Sequence, residues 1–208
     1  ISYGLGDNND YQGFNLKISE RGSEFSVKAP NGETCNYITR LIGKHNVINI
    51  VGAIAVSHKM GISLDKLKPQ VRKLEGVPHR LELINRGDII IVDDAYNSNP
   101  SGARAALETI QFFEGMKILV TPGMVELGEM QDKCNYQFGK EASATCDFIV
   151  LVGEKQTVPI YNGVKDTGYE MNKCYVAKDL NDALQKVYSL KTDKKKIVLL
   201  ENDLPDNY

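Results

Sequence analysis

Short apolar strands alternate with helical stretches over residues 81–200, and this alternation strongly restricts the fold. Strands are predicted at 81–84, 89–92, 117–121, 148–152 and 197–200, with helices near 101–113, 133–145 and 180–190. Nearly continuous apolar strands separated by helices are typical of βαβ units, in which a mostly parallel sheet is covered on both faces. The sequence therefore predicts an α/β fold for this part of the chain.

The first 76 residues follow a different pattern, with strands first and helices afterwards. Strands are predicted at 1–5, 14–19, 24–28 and 35–42, with turns at Arg21-Gly22 and Asn31-Gly32. A helix over 46–60 has apolar residues on nearly every face, which predicts that it is largely buried. In the next helix, at 64–74, Pro69 predicts a kink or a late start. Residues 75–78 read as a connector, so two domains are expected, at 1–76 and 77–208.

Composition excludes several classes of protein. The 208 residues carry a net charge of -2, which argues against a basic nucleic-acid-binding surface. No apolar run approaches the roughly 20 residues that a membrane span needs. Four cysteines without CxxC spacing favour a reduced, cytoplasmic protein.

The chain begins Ile-Ser-Tyr-Gly, without methionine, and we expect it to be part of a longer protein.

Two asparagines near the start of the first helix are candidate ligand residues. Asn46 and Asn49 are three residues apart and so share one helix face. A buried amide must be hydrogen-bonded, and an adenine edge is one partner that matches it. The alternative is that Asn46 caps the helix and Asn49 satisfies nearby backbone.

Two carboxylates and a polar loop follow the apolar strand at 89–92, in the sequence DDAYNSNP at residues 93–100. Ligands of open α/β sheets bind at the carboxyl ends of strands, where a carboxylate such as Asp94 can accept hydrogen bonds from ribose hydroxyls. Tyr96 and Asn97 lie beside it. Asn99 followed by Pro100 also fits a plain helix N-cap.

Two further segments could contact a ligand. Arg80 follows the connector, where it is either solvated or, beside an interdomain cleft, able to clamp a phosphate or stack on a base. Residues 122–129, PGMVELGE, follow a predicted strand. Their glycines, including Gly128, permit tight backbone, and Glu126 could recognise a cationic amine. A surface loop without function is the alternative.

Several common site motifs are absent from the sequence. There is no GxxxxGK[ST] phosphate loop, and His45, His58 and His79 lack the spacing of metal ligands. No serine or cysteine stands in a nucleophile elbow. The sequence therefore predicts neither a complete phosphate site nor a metal site.

In their order along the chain, four passages together resemble the Mur ligase family. GKHNVIN at 43–49 resembles G-x-H-N-x-x-N of the central ATPase domain, and VPHRLE at 77–82 resembles the interdomain P-G-R-L-E. DDAYNSNP at 93–100 resembles D-D-S-Y-N-A-N-P, and ELG at 126–128 matches a later E-L-G. The resemblance covers nearly the whole chain. It implies the second half of a central domain, with β hairpins and a buried helix, followed by a Rossmann-like α/β domain.

The resemblance also implies an activity and its partners. Family members use ATP and Mg²⁺ to activate a carboxylate as an acyl phosphate, which an amine then attacks. The implied partners are a UDP-N-acetylmuramoyl peptide and D-alanyl-D-alanine or another amine. The family's phosphate loop, magnesium-binding glutamate and carbamylated lysine would lie upstream of Ile1, so this segment alone is expected to be inactive. The implied nucleotide-binding residues are His45, Asn46, Asn49, Arg80, Asp94, Tyr96, Asn97 and Asn99, and the implied substrate-binding residues are Glu126 and Gly128.

Two passages depart from the family pattern. Pro122-Gly123-Met124 stands where members often have Gly-Asp-Met, and the chain ends with residues 200–208 where members tend to carry a Lys-Gly-Ser turn after the last strand. Both departures fall in the amine-binding domain that the resemblance implies, so they bear on which amine is the acceptor. The alternatives are an amide ligase acting on another acid, similar to folylpolyglutamate synthetase, and a non-catalytic nucleotide-binding or partner subunit.

Overall fold

The computed structural model describes residues 1–203, so the end of the departing segment, residues 204–208, lies outside the described residues. The chain divides into two units, one covering Ile1–Val77 and the other beginning at Pro78. No helix among the described residues has both the length and the apolar character needed to cross a membrane.

The first unit is a four-stranded sheet with two helices. β1 pairs parallel with β2, whereas β2, β3 and β4 form an antiparallel meander. Alternate residues of the strands, such as Phe25 and Val27, point to one side and pack with the helices in a single apolar core. The elements are β1 (Tyr3–Gly4), β2 (Tyr11–Ser19), β3 (Gly22–Lys28), β4 (Thr34–Thr39), α1 (Lys44–Lys59) and α2 (Leu64–Arg72).

Helix α1 is buried on one side only, so the prediction of a largely buried helix was wrong. Val47, Val51 and Ile54 are buried against the sheet, but Val56 is 60% exposed. Within this unit α1 packs on β1 to β3 and on α2, and these elements cover a single face of it. An apolar composition does not by itself provide a second packing layer.

The ends of the helices also differ from the predictions. α1 begins after Gly43, whose φ of 95° suits glycine, and Asn46 therefore lies inside the first turn and does not cap the helix. α2 begins at Leu64 as predicted, so Pro69 causes no late start and is contained within the helix.

The second unit is a six-stranded sheet in the order β5-β6-β10-β7-β8-β9, parallel except for β5. β5 and β6 form a hairpin, and the last strand, β10, lies between β6 and β7. The elements are β5 (Glu82–Asn85), β6 (Ile89–Asp94), α3 (Pro100–Ile110), β7 (Met116–Thr121), α4 (Gln131–Thr145), β8 (Phe148–Val152), α5 (Val158–Asp166), β9 (Cys174–Ala177), α6 (Leu180–Ser189) and β10 (Lys196–Glu201).

Both faces of this sheet are covered, as the α/β prediction requires. Val120 and Val150 pack with Ala183 and Val187 of α6. The intervening strand residues, such as Leu119, point to the opposite face and are also fully buried. The order of the strands brings the carboxyl ends of β6 to β10 to one edge of the sheet.

Candidate functional site

The end of β6 carries the two adjacent carboxylates, which point to opposite faces of the sheet. Asp93 is buried, and its Oδ2 lies 2.9 Å from His79 Nδ1 while its Oδ1 accepts the Ala95 N–H at 3.1 Å. The hydrogen bond to Asp93, and then the charge of that carboxylate, raise the pKa of His79 above its ordinary value. Asp93 thus holds the segment before β5 against the end of β6.

Asp94 holds the same segment from the other side. Its Oδ1 accepts the Leu81 N–H at 3.0 Å, and the Tyr96 N–H donates to the His79 carbonyl at 3.2 Å. His79 and Leu81 both have left-handed backbone, with φ of 60° and 48°, which is costly for side chains of this size. The hydrogen bonds to both carboxylates fix this uncommon conformation.

Arg80 lies between these two fixed residues and is exposed. Its guanidinium carbon is 4.4 Å from the centroid of the Tyr96 ring, within cation–π range. Tyr96 is itself 62% exposed, so the stacked pair presents a planar cation and an aromatic ring to solvent. Such a pair can contact both a phosphate and a flat base.

The residues after Tyr96 have separate roles. Asn97 is exposed, whereas Asn99 caps α3, with Oδ1 accepting N–H groups from Ser101 at 3.1 Å and Gly102 at 2.9 Å. Pro100 occupies the first turn of that helix. The oxygen of Asn99 is therefore used by the helix terminus.

The loop after β7 is clamped by two asparagines that the sequence did not single out. Asn135 of α4 accepts the Met124 N–H and donates to the Met124 carbonyl, each at 2.8 Å, and Asn202 donates to the Gly123 carbonyl at 2.6 Å. The loop thereby presents Glu126, which is exposed with a φ of 62°. Asn135 could have been suspected from sequence, because a polar residue there shares its helix face with Phe138 and Ala142.

An open cavity of about 880 Å³ lies at this edge of the sheet, within the second unit. It brings together Tyr96, Asn97 and Glu126 from the predicted residues, whereas Arg80, Asp94, Asn99 and Gly128 do not line it. Further residues line the cavity that are not among the predicted site residues. They include His79, which precedes β5, Asp93 of β6, and Gln156, Lys178, Asp179 and Asn202, which follow later strands.

The predicted residues of the first unit lie at the start of α1. Asn46 is half-buried, and its Nδ2 donates to the Ile42 carbonyl at 2.8 Å, just before the helix. His45 and Asn49 are exposed. Asn46 is therefore held by backbone, while Asn49 presents its amide at the surface.

One group of side chains in the described part of the chain could hold a metal ion. Ligand atoms of His79, Glu82 and Asp93 lie within 4.8 Å of one another. Mg²⁺ prefers oxygen ligands in octahedral geometry, and the histidine that belongs to this group does not suit it. We therefore do not assign Mg²⁺ to these residues.

Comparison with known proteins gives two family matches. Residues 79–201 match the model described as "Mur ligase, glutamate ligase domain", and residues 1–57 match "Mur ligase middle domain". Together the two matches cover most of the chain.

Individual relatives agree with these matches. The UDP-N-acetylmuramoyl-tripeptide–D-alanyl-D-alanine ligase of Escherichia coli is 32% identical over 150 residues, which are 71% of this chain and 33% of the relative. A crystal structure of MurF from Acinetobacter baumannii superposes with a TM-score of 0.79 at 23% identity, covering 95% of this chain and 42% of the other. MurF from Thermotoga maritima in complex with ADP gives 0.77 at 19%, covering 95% and 44%.

The chain spans about a third of the length of the E. coli relative. The two family matches fall in the same order as the two structural units. The motifs at 43–49, 93–100 and 126–128 lie within them, and the motif at 77–82 begins two residues before the second match. The chain belongs to the Mur ligase family.

Proposed function

We propose that the chain is the C-terminal portion of an ATP-dependent Mur-type ligase. Residues 1–76 would be the second half of its central, ATP-binding domain, and residues 77–208 its C-terminal, amine-substrate domain. The arrangement at the end of β6 carries the proposal, because Asp93 and Asp94 together fix the segment that presents Arg80. A positioned cation beside a carboxylate is what a nucleotide's phosphate and ribose require.

The proposed reaction adds D-alanyl-D-alanine to UDP-N-acetylmuramoyl-tripeptide during peptidoglycan synthesis, in the cytoplasm. ATP supplies the phosphoryl group that activates the carboxylate. The name of the E. coli relative supports this pair of substrates, and ADP in the T. maritima structure supports the nucleotide. Mg²⁺ would be held mainly by residues upstream of this segment.

The nucleotide-binding role is proposed for two sets of residues. In the second unit, Asp94 would accept ribose hydroxyls and Arg80 would contact phosphate or ribose, with Tyr96 stacked beneath it. In the first unit, Asn46 and Asn49 would meet the adenine or the ribose. His45, Asn97 and Asn99 complete the proposed set.

The acceptor would bind in the cavity of the second unit. Glu126 and Lys178 come from different loops and give this cavity both an anionic and a cationic group. A zwitterionic peptide carries the matching ammonium and carboxylate. Gly128 follows Glu126 in the same segment. Because it has no side chain, it would allow the backbone of this segment to approach the acceptor closely.

An acceptor panel tests this proposal in the complete gene product that contains the segment. Phosphate release from ATP would be measured with UDP-N-acetylmuramoyl-tripeptide and, in turn, D-alanyl-D-alanine, glutamate, L-alanine or diaminopimelate. We expect release with D-alanyl-D-alanine above the level without an acceptor. A response only when a folate and glutamate replace these substrates would favour the amide ligase acting on another acid, and no response to any pair of substrates would favour a non-catalytic subunit.

A further inference from the structure

A buried carboxyl group at the end of β10 has a role that the motifs did not predict. Glu201 is 1% exposed, and its Oε1 accepts a hydrogen bond of 2.6 Å from the Ser98 hydroxyl. Among residues 1–203, its Oε2 has no hydrogen-bond partner. A buried ionised carboxylate with an unpaired oxygen is costly, whereas a neutral acid needs only an acceptor for the hydrogen bond that its O–H donates.

Asp94 is the neighbour that can accept this hydrogen bond. β6 and β10 are adjacent parallel strands, and Glu201 is in register with Asp94, so both side chains leave the sheet on the same face. Neighbouring strands are about 4.8 Å apart, which places the two carboxyl groups within reach of each other. Burial, and then the charge of Asp94, raise the pKa of Glu201 to about 8.

We propose that Glu201 is a positioning residue, which as a neutral acid donates a hydrogen bond to Asp94 and so keeps that carboxylate on the Leu81 N–H. This inference rests on the proposed function, in which Asp94 meets the ribose. Because Leu81 directly follows Arg80, the protonation of Glu201 would also set the position of the Arg80–Tyr96 pair. Ionisation would place two like charges side by side and displace Asp94.

Other charged groups on the surrounding elements are directed elsewhere. Asp93 points to the opposite face and binds His79. On α3, Arg104 forms an ion pair with Glu141, and the remaining charged side chain, Glu108, lies two turns beyond the start of the helix. On β7 the charged residue is Lys117, which pairs in register with Ile197 at the opposite end of β10. Asp94 is therefore the charge that governs Glu201.

Carboxyl ¹³C NMR of the 208-residue chain tests the first step directly. We expect Glu201 to titrate near pH 8 and the Leu81 amide resonance to shift with the same midpoint. Glu201→Gln should abolish both transitions, since its amide cannot ionise. Ser98→Ala should move them to higher pH, because it removes a hydrogen bond that favours the ionised form. The inference would be overturned if Glu201 titrated below pH 5. It would also be overturned if the Leu81 amide resonance did not shift as Glu201 titrates.

The pH dependence of ATP use in the complete gene product tests the second step. For a pKa of about 8, the neutral fraction of Glu201 falls about tenfold between pH 7 and pH 9, so the KM for ATP should rise up to about tenfold over that range. In Glu201→Gln this rise should be absent. A KM with the same pH profile in both proteins would overturn the positioning role and leave the proposed function intact. If no reaction depends on ATP at any pH, the proposed function fails, whatever the NMR titration shows.

Discussion

At the scale of single residues, Asn135 is a buried polar group that holds a loop beside the cavity. It is 1% exposed, and both ends of its amide bond the backbone of Met124. This pairing keeps the loop after β7 in the conformation that presents Glu126 to the cavity. Asn135 thus has two effects: it stabilises the fold, and it shapes the proposed acceptor site.

Asn135→Ala should destabilise the second unit by about 2 kcal/mol or more, because it leaves a buried N–H and a buried carbonyl without partners. Urea denaturation followed by circular dichroism would measure the loss. Asn172→Ala, an exposed asparagine in a 3-10 turn, is the matched control and should change stability by less than about 0.5 kcal/mol. Equal stability of the two variants would show that the clamp is dispensable.

The sequence allowed residues at the cavity to be predicted where they belong to a short, contiguous motif. Tyr96, Asn97 and Glu126 were named from their segments, and the structure places all three around one cavity. Asn202, Gln156 and Lys178 were missed, because each lies beyond a different strand and their convergence depends on the strand order. Whether the named residues bind nucleotide or acceptor stays a prediction.

At the scale of elements, α4 and α5 pack unusually closely through two glycines. A Cβ added to Gly163 would lie 2.0 Å from the Tyr136 carbonyl oxygen, and one added to Gly139 would lie 2.2 Å from that of Ile160. In both cases the obstacle is backbone, which cannot move aside as a side chain can. The glycines therefore set the distance between the two helices.

Gly163→Ala should force α4 and α5 apart and destabilise the second unit by about 1–3 kcal/mol. Thermal or urea unfolding would measure this. Gly102→Ala is the matched control, since Gly102 lies in α3 and a Cβ there meets only Asn99 atoms at 3.6 Å or more. That substitution should be neutral or slightly stabilising, because alanine favours helix. A Gly163→Ala protein as stable as the control would contradict the close packing.

Two elements of the second unit, α5 and β9, were not predicted from the sequence. α5 contains Pro159 and Gly163, which read as helix breakers although the proline is tolerated in the first turn and the glycine is needed for packing. β9 has four residues, too few for a clear alternating pattern. The long apolar strands β7 and β8, in contrast, were predicted almost to the residue, because their composition allows little else.

At the scale of the whole molecule, strand order turns scattered motifs into a site. The sequence predicted a parallel sheet but could not predict that the last strand enters between β6 and β7. That insertion places Glu201 beside Asp94 and Asn202 beside the loop after β7. The order of strands depends on long-range pairing, about which local patterns carry little information.

We propose that this segment supplies the ribose-binding edge of an ATP-dependent ligase, and a kinetic comparison can test this role. In the complete gene product, the KM for ATP would be compared between the natural protein, Asp94→Ala and Asp193→Ala, the last an exposed control in the turn before β10. Loss of a charged hydrogen-bond acceptor predicts a rise of about tenfold to a hundredfold for Asp94→Ala, with no change for the control. An unchanged KM for ATP in Asp94→Ala would contradict the assignment.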